Sequence, residues 1–127
     1  PGKRPMSTMN PVIVKNKDNN ISIITGSPGG SFIPAAALRV ITGIIDFNLD
    51  VGQATMLPRI HKDWPYAGLE YESTLSSDIV SVLERLGHQP EPSKTLGSTQ
   101  SITIIDGINY GYADLRRPNA GVAIQVD

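Results

Sequence analysis

The feature that most constrains the fold is a glycine-rich loop between an apolar strand and a helix. The run Ile21-Ser22-Ile23-Ile24 leads into Thr25-Gly26-Ser27-Pro28-Gly29-Gly30-Ser31, and a helical pattern begins at Ser31. Glycine leaves its backbone N–H open to close approach because it has no Cβ. The N-terminus of the following helix adds unpaired N–H donors and a partial positive charge. The junction is therefore suited to hold an anion, either a phosphate or carboxylate or the oxyanion of acyl transfer, with a ligand-free turn as the alternative.

A β-hairpin is predicted just before this loop. Two apolar runs, residues 12–14 and 21–24, flank Asn16-Lys17-Asp18-Asn19-Asn20, which is rich in turn-forming residues. An antiparallel pair brings the residues before its first strand close to the residues after its second. We therefore expect Ser7 and Thr8 to lie beside Gly29 and Gly30.

The remaining pattern predicts a single α+β domain over residues 1–127. A helix is expected from Ser31, as its N-cap, to about Asn48, with a broad apolar face made of Leu38, Ile41 and Ile45 and, beside them, Ala37, Val40 and Ile44. A second helix is expected over residues 76–86, closed by Gly87. Further predictions are a short helix at 51–56, strands at 59–64 and 69–72, a loop or edge strand at 89–92, a hairpin of 101–105 with 109–112, and a last strand within 121–126.

Composition excludes several classes of function. The 11 basic and 12 acidic residues give a net charge of −1, which argues against nucleic acid or anionic lipid as the main partner. The chain has no cysteine, so disulfides, thiol catalysis and cysteine–metal sites are excluded. No run approaches the ~18 apolar residues that a membrane-spanning helix needs. His61 and His88 stand far apart without close-spaced companions, so no metal site is predicted, and His61 is interpreted as a packing or surface residue.

Five segments in a fixed order carry a family resemblance. They are Lys3-Arg4-Pro5-Met6-Ser7-Thr8-Met9-Asn10-Pro11, the glycine loop, Ala54-Thr55 with Pro58-Arg59-Ile60-His61, Gly97-Ser98-Thr99-Gln100-Ser101, and Gly111 with Asp114 and Arg116. Together they resemble the C-terminal part of the small subunit of γ-glutamyltranspeptidase, an N-terminal-nucleophile hydrolase. The resemblance covers essentially the whole chain.

The resemblance implies a fold, an activity and a set of partners. The fold would be part of a four-layer α/β/β/α sandwich with mostly antiparallel sheet and packed helices. Members process themselves into a large and a small subunit, and the new N-terminal threonine attacks γ-glutamyl amides such as glutathione to form an acyl-enzyme. That threonine would lie upstream of Pro1, so this chain alone is expected to be inactive and to need the large subunit and the rest of the small subunit. No cofactor is implied, and the family suggests a periplasmic or secreted protein.

The resemblance also assigns roles to particular residues. Gly29 and Gly30 match the glycine pair whose backbone N–H groups form the oxyanion hole. Ser7 matches a serine that binds the α-carboxylate of the γ-glutamyl group, and Thr8 stands where the family pattern has a second serine. Asp114 and Arg116 match an acidic–basic pair that we interpret as structural.

Two alternatives remain open. Thr8 keeps the hydroxyl but adds a methyl group that stiffens the side chain, which leaves room for a related acylase or amidohydrolase acting on another amide. The second alternative is that the isolated chain is a non-catalytic fragment or binding module. Because a truncated sheet exposes an open edge and an uncovered face, association with partners or with itself is expected.

Overall fold

A computed structural model describes residues 1–4, 9–65 and 68–124 of the chain. Seven strands and three helices lie within these ranges. In chain order they are β1 (Val12–Lys15), β2 (Ile21–Gly26), α1 (Phe32–Ile45), α2 (Val51–Met56), β3 (Ile60–His61), β4 (Gly68–Glu72), α3 (Ser77–Arg85), β5 (Gln89–Ser93), β6 (Gln100–Ile105) and β7 (Ile108–Ala113). The prediction of an α+β fold with a mostly antiparallel sheet is confirmed.

The larger sheet has the strand order β1-β2-β6-β7, and all of its strand pairs are antiparallel. Both predicted hairpins are present, one joining β1 to β2 and the other joining β6 to β7 through Asp106 and Gly107, which both have positive φ angles. The pairing of β2 with β6 is the long-range contact: Thr25 stands opposite Ser101, and their buried hydroxyls hydrogen-bond at 2.8 Å. This pairing brings the start of β6 next to the glycine loop at the end of β2.

Helix α1 packs on β2 and α2, although its buried face is narrower than predicted. Ile33, Ala36, Ala37, Val40 and Gly43 are buried, while Leu38 and Ile45 remain 60% and 57% exposed. The small residues are the ones that pack because α1 and α2 approach closely: a Cβ placed on Gly43 would lie 3.0 Å from the Cβ of Ala54. The predicted apolar face is therefore confirmed at Ala37 and Val40 and wrong at Leu38 and Ile45.

The smaller sheet has the order β3-β4-β5, with β4 and β5 parallel and connected through α3. Strand β5 lies at the edge of this sheet. Its Pro90 and Pro92 have no backbone N–H, so they could not donate hydrogen bonds to a further strand. Residues 89–92, left open between loop and edge, thus belong to an edge strand. Gly87 ends α3 as predicted, with φ +86° and its N–H donating to the Glu84 carbonyl at 2.9 Å. No strand forms at 121–124, the described part of the predicted last strand.

Candidate active site

The glycine loop lies between β2 and α1, as the sequence predicts. Gly29 and Gly30 have φ angles of +139° and +58°, a backbone region that favours glycine. Their carbonyls accept hydrogen bonds from backbone N–H groups three residues further along the chain: the Phe32 N–H donates to Gly29 at 3.1 Å, and the Ile33 N–H donates to Gly30 at 3.2 Å. The peptide groups of the glycine pair are thereby held at the N-terminal end of α1, where the helix dipole favours negative charge.

A second loop, residues 94–99, supports the glycine loop from one side. A Cβ on Gly29 would lie 3.1 Å from the Cα of Gly97, and a Cβ on Gly97 would lie 2.8 Å from Oγ of Ser27. The Ser27 hydroxyl joins the two loops, since it accepts a hydrogen bond from the Ser98 N–H at 2.9 Å and donates to the Pro28 carbonyl at 2.6 Å. Only glycine at both positions permits this approach of the two backbones.

Ser31 supports the glycine loop from another direction. Ser31 occupies the N-cap position of α1, as predicted, but its backbone is helical, with φ −63° and ψ −21°, and its hydroxyl makes no capping bond. The hydroxyl instead donates to Oδ2 of Asp63 at 2.9 Å. Oδ1 of Asp63 is 2.8 Å from Nε2 of His61, whose ring meets Phe32 edge-on at 4.8 Å. The bonds from His61 and then from Ser31 lower the pKa of Asp63.

A buried network of four charged side chains lies behind the two loops. It consists of Arg59 after α2, Glu72 at the end of β4, and Asp114 and Arg116 after β7. Arg59 donates from Nη2 to Oδ2 of Asp114 at 2.7 Å. Arg116 binds both oxygens of Glu72, from Nε at 2.8 Å and from Nη2 at 2.6 Å, and donates from Nη1 to Oδ1 of Asp114 at 3.2 Å. Two cations and two anions balance, so the cluster places no net charge in the interior.

Burial and pairing shift the pKa values within this network in opposite directions. Burial lowers the pKa of Arg59 against the opposing effect of Asp114, although an arginine still keeps its proton. Burial alone would raise the pKa of Asp114, but hydrogen bonds from the Arg116 N–H, the Arg59 guanidinium and the Thr99 N–H outweigh it and lower the value. For Arg116, the hydrogen bond and charge of Glu72 overcome burial and raise the pKa. Arg59, Asp114 and Arg116 are therefore charged at neutral pH.

The charged network is connected to the glycine loop through the second loop. Nη1 of Arg59 donates to the carbonyls of Gly97, at 2.9 Å, and Leu96, at 3.3 Å. Oε1 of Glu72 accepts from the Leu96 N–H at 3.0 Å. The same Gly97 packs on Gly29. Asp114 and Arg116 thus belong to a charged network whose hydrogen bonds hold residues 96–99 in place, in agreement with their interpretation as a structural pair.

Sequence reasoning missed Glu72 and Asp63. Glu72 lay inside a predicted strand with no motif around it, and only its burial reveals that it pairs with Arg116. Asp63 lies two residues after the Pro58–His61 motif, where the Ser31 contact depends on tertiary packing. Ser7 and Thr8 lie outside the described residues, so their expected position beside Gly29 and Gly30 stays a prediction.

Comparison with known proteins identifies the family. The γ-glutamyltranspeptidase family model matches residues 1–124. The chain belongs to this family. It is 42% identical over 117 residues to the glutathione hydrolase proenzyme of Escherichia coli K12, an alignment that covers 91% of this chain and 20% of that protein.

Solved structures agree with the family assignment. A crystal structure of Helicobacter pylori γ-glutamyltranspeptidase superimposes with a TM-score of 0.85 at 34% identity, covering 91% of this chain and 64% of that one. The cephalosporin acylase of Bacillus halodurans gives a TM-score of 0.81 at 25% identity, covering 88% of this chain and 22% of that one. The chain thus forms part of the N-terminal-nucleophile hydrolase fold of the family, and it spans about a fifth of the length of its E. coli relative. Within the described residues, no helix combines the length and apolar character needed to cross a bilayer.

Proposed function

We propose that this chain is the part of a γ-glutamyl transferase or glutathione hydrolase that supplies the oxyanion hole and one side of the substrate carboxylate site. The single observation that carries the proposal is the glycine pair of this family at the β2–α1 junction, with positive φ at both residues and Gly97 packed behind them. The E. coli relative, 42% identical to this chain, is a glutathione hydrolase proenzyme. The substrate class is therefore a γ-glutamyl amide such as glutathione.

The chemistry divides between this chain and the rest of the protein. An N-terminal threonine from an upstream segment attacks the γ-glutamyl carbonyl, and negative charge develops on its oxygen as the acyl-enzyme forms. The N–H groups of Gly29 and Gly30 stabilise that charge, and fixed donors need no reorganisation when the reaction occurs. Ser7 and Thr8 donate to the α-carboxylate and orient the substrate. In this proposal the isolated chain is inactive, and activity requires its assembly with the large subunit and the nucleophile segment.

The test is the Gly29→Ala variant of the full-length protein, assayed with γ-glutamyl p-nitroanilide. A Cβ at this position would lie 3.1 Å from Gly97 and must displace the peptide group. Because loss of one oxyanion-hole donor costs about 10²–10³ in kcat, we expect kcat to fall about 100-fold. Gly107→Ala is the matched control: its φ is +79° and its Cβ would meet no atom within 4 Å, in a hairpin turn of β6 and β7. This control carries comparable backbone strain and is expected to keep its kcat.

Three results would contradict the proposal. A Gly29→Ala variant that keeps kcat within threefold of the wild type would remove the glycine pair from the reaction. A wild-type protein that cleaves a different acyl amide but not the γ-glutamyl anilide would favour the acylase alternative. Failure of the processed full-length protein to form an acyl-enzyme with either substrate would leave the non-catalytic module.

A further inference from the structure

The Ser31 hydroxyl has an unusual use for a residue at the start of a helix. Serine in this position commonly accepts a hydrogen bond from a backbone N–H of the first helical turn. Here Ser31 has helical backbone angles and donates sideways to Asp63 at 2.9 Å, a residue 32 positions away in the loop after β3. The contact therefore does not cap α1. It joins the end of the glycine loop to the smaller sheet.

Asp63 is itself held in a fixed orientation. Its Oδ1 pairs with Nε2 of His61 at 2.8 Å, and the His61 side chain is only 10% exposed, whereas that of Asp63 is 43% exposed. The His61 ring packs edge-on against Phe32, with an interplanar angle of 84°. Phe32 follows Ser31 in the chain, so the four side chains close a ring: Ser31 to Asp63, Asp63 to His61, His61 to Phe32, and Phe32 back to Ser31 through one peptide bond. A closed ring of this kind restricts each of its members.

We propose that Asp63 is a positioning residue that holds the glycine loop through Ser31, in addition to the support that Gly97 gives to Gly29. The inference rests on the proposed function, since it concerns the alignment of the Gly29 and Gly30 N–H groups. Gly97 contacts the loop at Gly29, and the Ser31–Asp63 bond acts immediately after Gly30. The two supports therefore bracket the pair. Without the second one, the Ser31 end of the loop loses its anchor to the smaller sheet, and the Gly29–Gly30 peptide, which carries the Gly30 N–H, tilts although Gly29 still packs on Gly97.

Such a tilt affects rate more than binding. The oxyanion-hole donors act on charge that develops in the transition state, and the substrate carboxylate is bound by other groups. Because removing a whole donor costs about 10²–10³ in kcat, a tilt that keeps both donors but misaligns one is expected to lower kcat about tenfold. KM is expected to stay within about twofold, since the ground-state contacts of the substrate are unchanged.

The experiment measures kcat and KM of four test variants and two control variants of the full-length protein, with γ-glutamyl p-nitroanilide as the substrate. Ser31→Ala and Asp63→Ala remove the bond from either end, and each is expected to lower kcat about tenfold. Their double variant should be no slower than either single one, because both delete the same interaction. Asp63→Asn retains an acceptor for the Ser31 hydroxyl and is expected to recover at least half of the wild-type kcat. Ser22→Ala and Asp50→Ala are the controls: they lose side-chain hydrogen bonds to Val14 and Gln53, and their kcat should not change.

Hydrogen exchange of the same variants separates this inference from the proposed function. Peptides that cover residues 27–36 should exchange faster in Ser31→Ala and Asp63→Ala than in the wild type, at the N–H groups of Phe32 and Ile33, and should not change in the controls. A wild-type protein without γ-glutamyl turnover refutes the proposed function, and the exchange data then still decide whether Asp63 holds the loop. Unchanged exchange overturns the inference. The inference is also overturned if exchange is faster but kcat is unchanged, if only KM rises, or if the losses of kcat add up in the double variant.

Discussion

The strongest stability prediction concerns Arg59→Met. Arg59 is 2% exposed and makes hydrogen bonds to Asp114, Thr99 and the carbonyls of Thr55, Leu96 and Gly97. Methionine keeps much of the aliphatic volume, so the change removes mainly the guanidinium. Arg116 and two backbone N–H groups still bind Asp114 after the change. The carbonyl of Thr55 also keeps the Arg116 bond at 3.0 Å.

The expected loss can be estimated from the bonds that have no replacement. The charge-assisted bond to Asp114 is worth about 1.5–3 kcal/mol, and each of the two carbonyls left without the guanidinium, Leu96 and Gly97, costs about 1 kcal/mol or more. Their sum, about 4 kcal/mol, agrees with the ~3–5 kcal/mol that follows removal of one partner from a buried ion pair. Arg59→Lys keeps the charge but not the planar fork, because one ammonium cannot reach Asp114 and both carbonyls together. We expect this variant to lose about half as much stability.

Urea unfolding followed by far-UV circular dichroism measures this loss as a shift of the midpoint at constant slope. Arg85→Met is the matched control because Arg85 is exposed at the end of α3, where a surface substitution usually changes stability by less than about 0.5 kcal/mol. An Arg59→Met variant within about 1 kcal/mol of the wild type would refute the reasoning that this network stabilises the fold. Wild-type stability in Arg59→Lys would refute the importance of the fork geometry.

Two further predictions concern the surroundings of this network. In urea unfolding, Gly97→Ala should lower the free energy of unfolding by about 2 kcal/mol or more, since its φ is +80° and its Cβ would lie 2.8 Å from Oγ of Ser27. Gly87→Ala is the control, because Gly87 has φ +86° but open space around its Cβ position, and it should cost only about 1 kcal/mol. Equal losses would show that the contact with Ser27 is easily relieved. The lowered pKa of Asp114 means that its contribution is complete above its ordinary value of 3.8 and is lost as the pH falls through the folded-state value. Asp114→Asn should therefore be less stable at pH 7 and lose less additional stability below about pH 4, and parallel pH profiles of the two proteins would contradict this.

The local elements of this fold could be read from the sequence because each has its own pattern. The turn formers at 16–20 and Asp106-Gly107 predicted both hairpins, and the 51–56 helix was predicted with the bounds that the structure gives it. The glycine loop was placed correctly between its strand and helix for the same reason. Family membership also followed from the order of short motifs along the chain, and the comparisons confirm it.

The supports of the candidate site depend on contacts between distant residues, and no local pattern encodes them. Ser31 was assigned the usual side-chain role of a helix cap, but it accepts no bond from the first turn of α1, and its hydroxyl donates instead to Asp63 in the loop after β3. For Glu72 the sequence predicted only a place in a strand, and the structure shows that it is buried and forms an ion pair with Arg116. Thus the sequence alone determined most of the elements, the family and the glycine pair, although the strand predicted at 59–64 is limited to β3 and none forms at 121–124. The tertiary structure decided which polar groups are buried together, because the cost of burying a charge is met only by partners that folding brings from elsewhere in the chain.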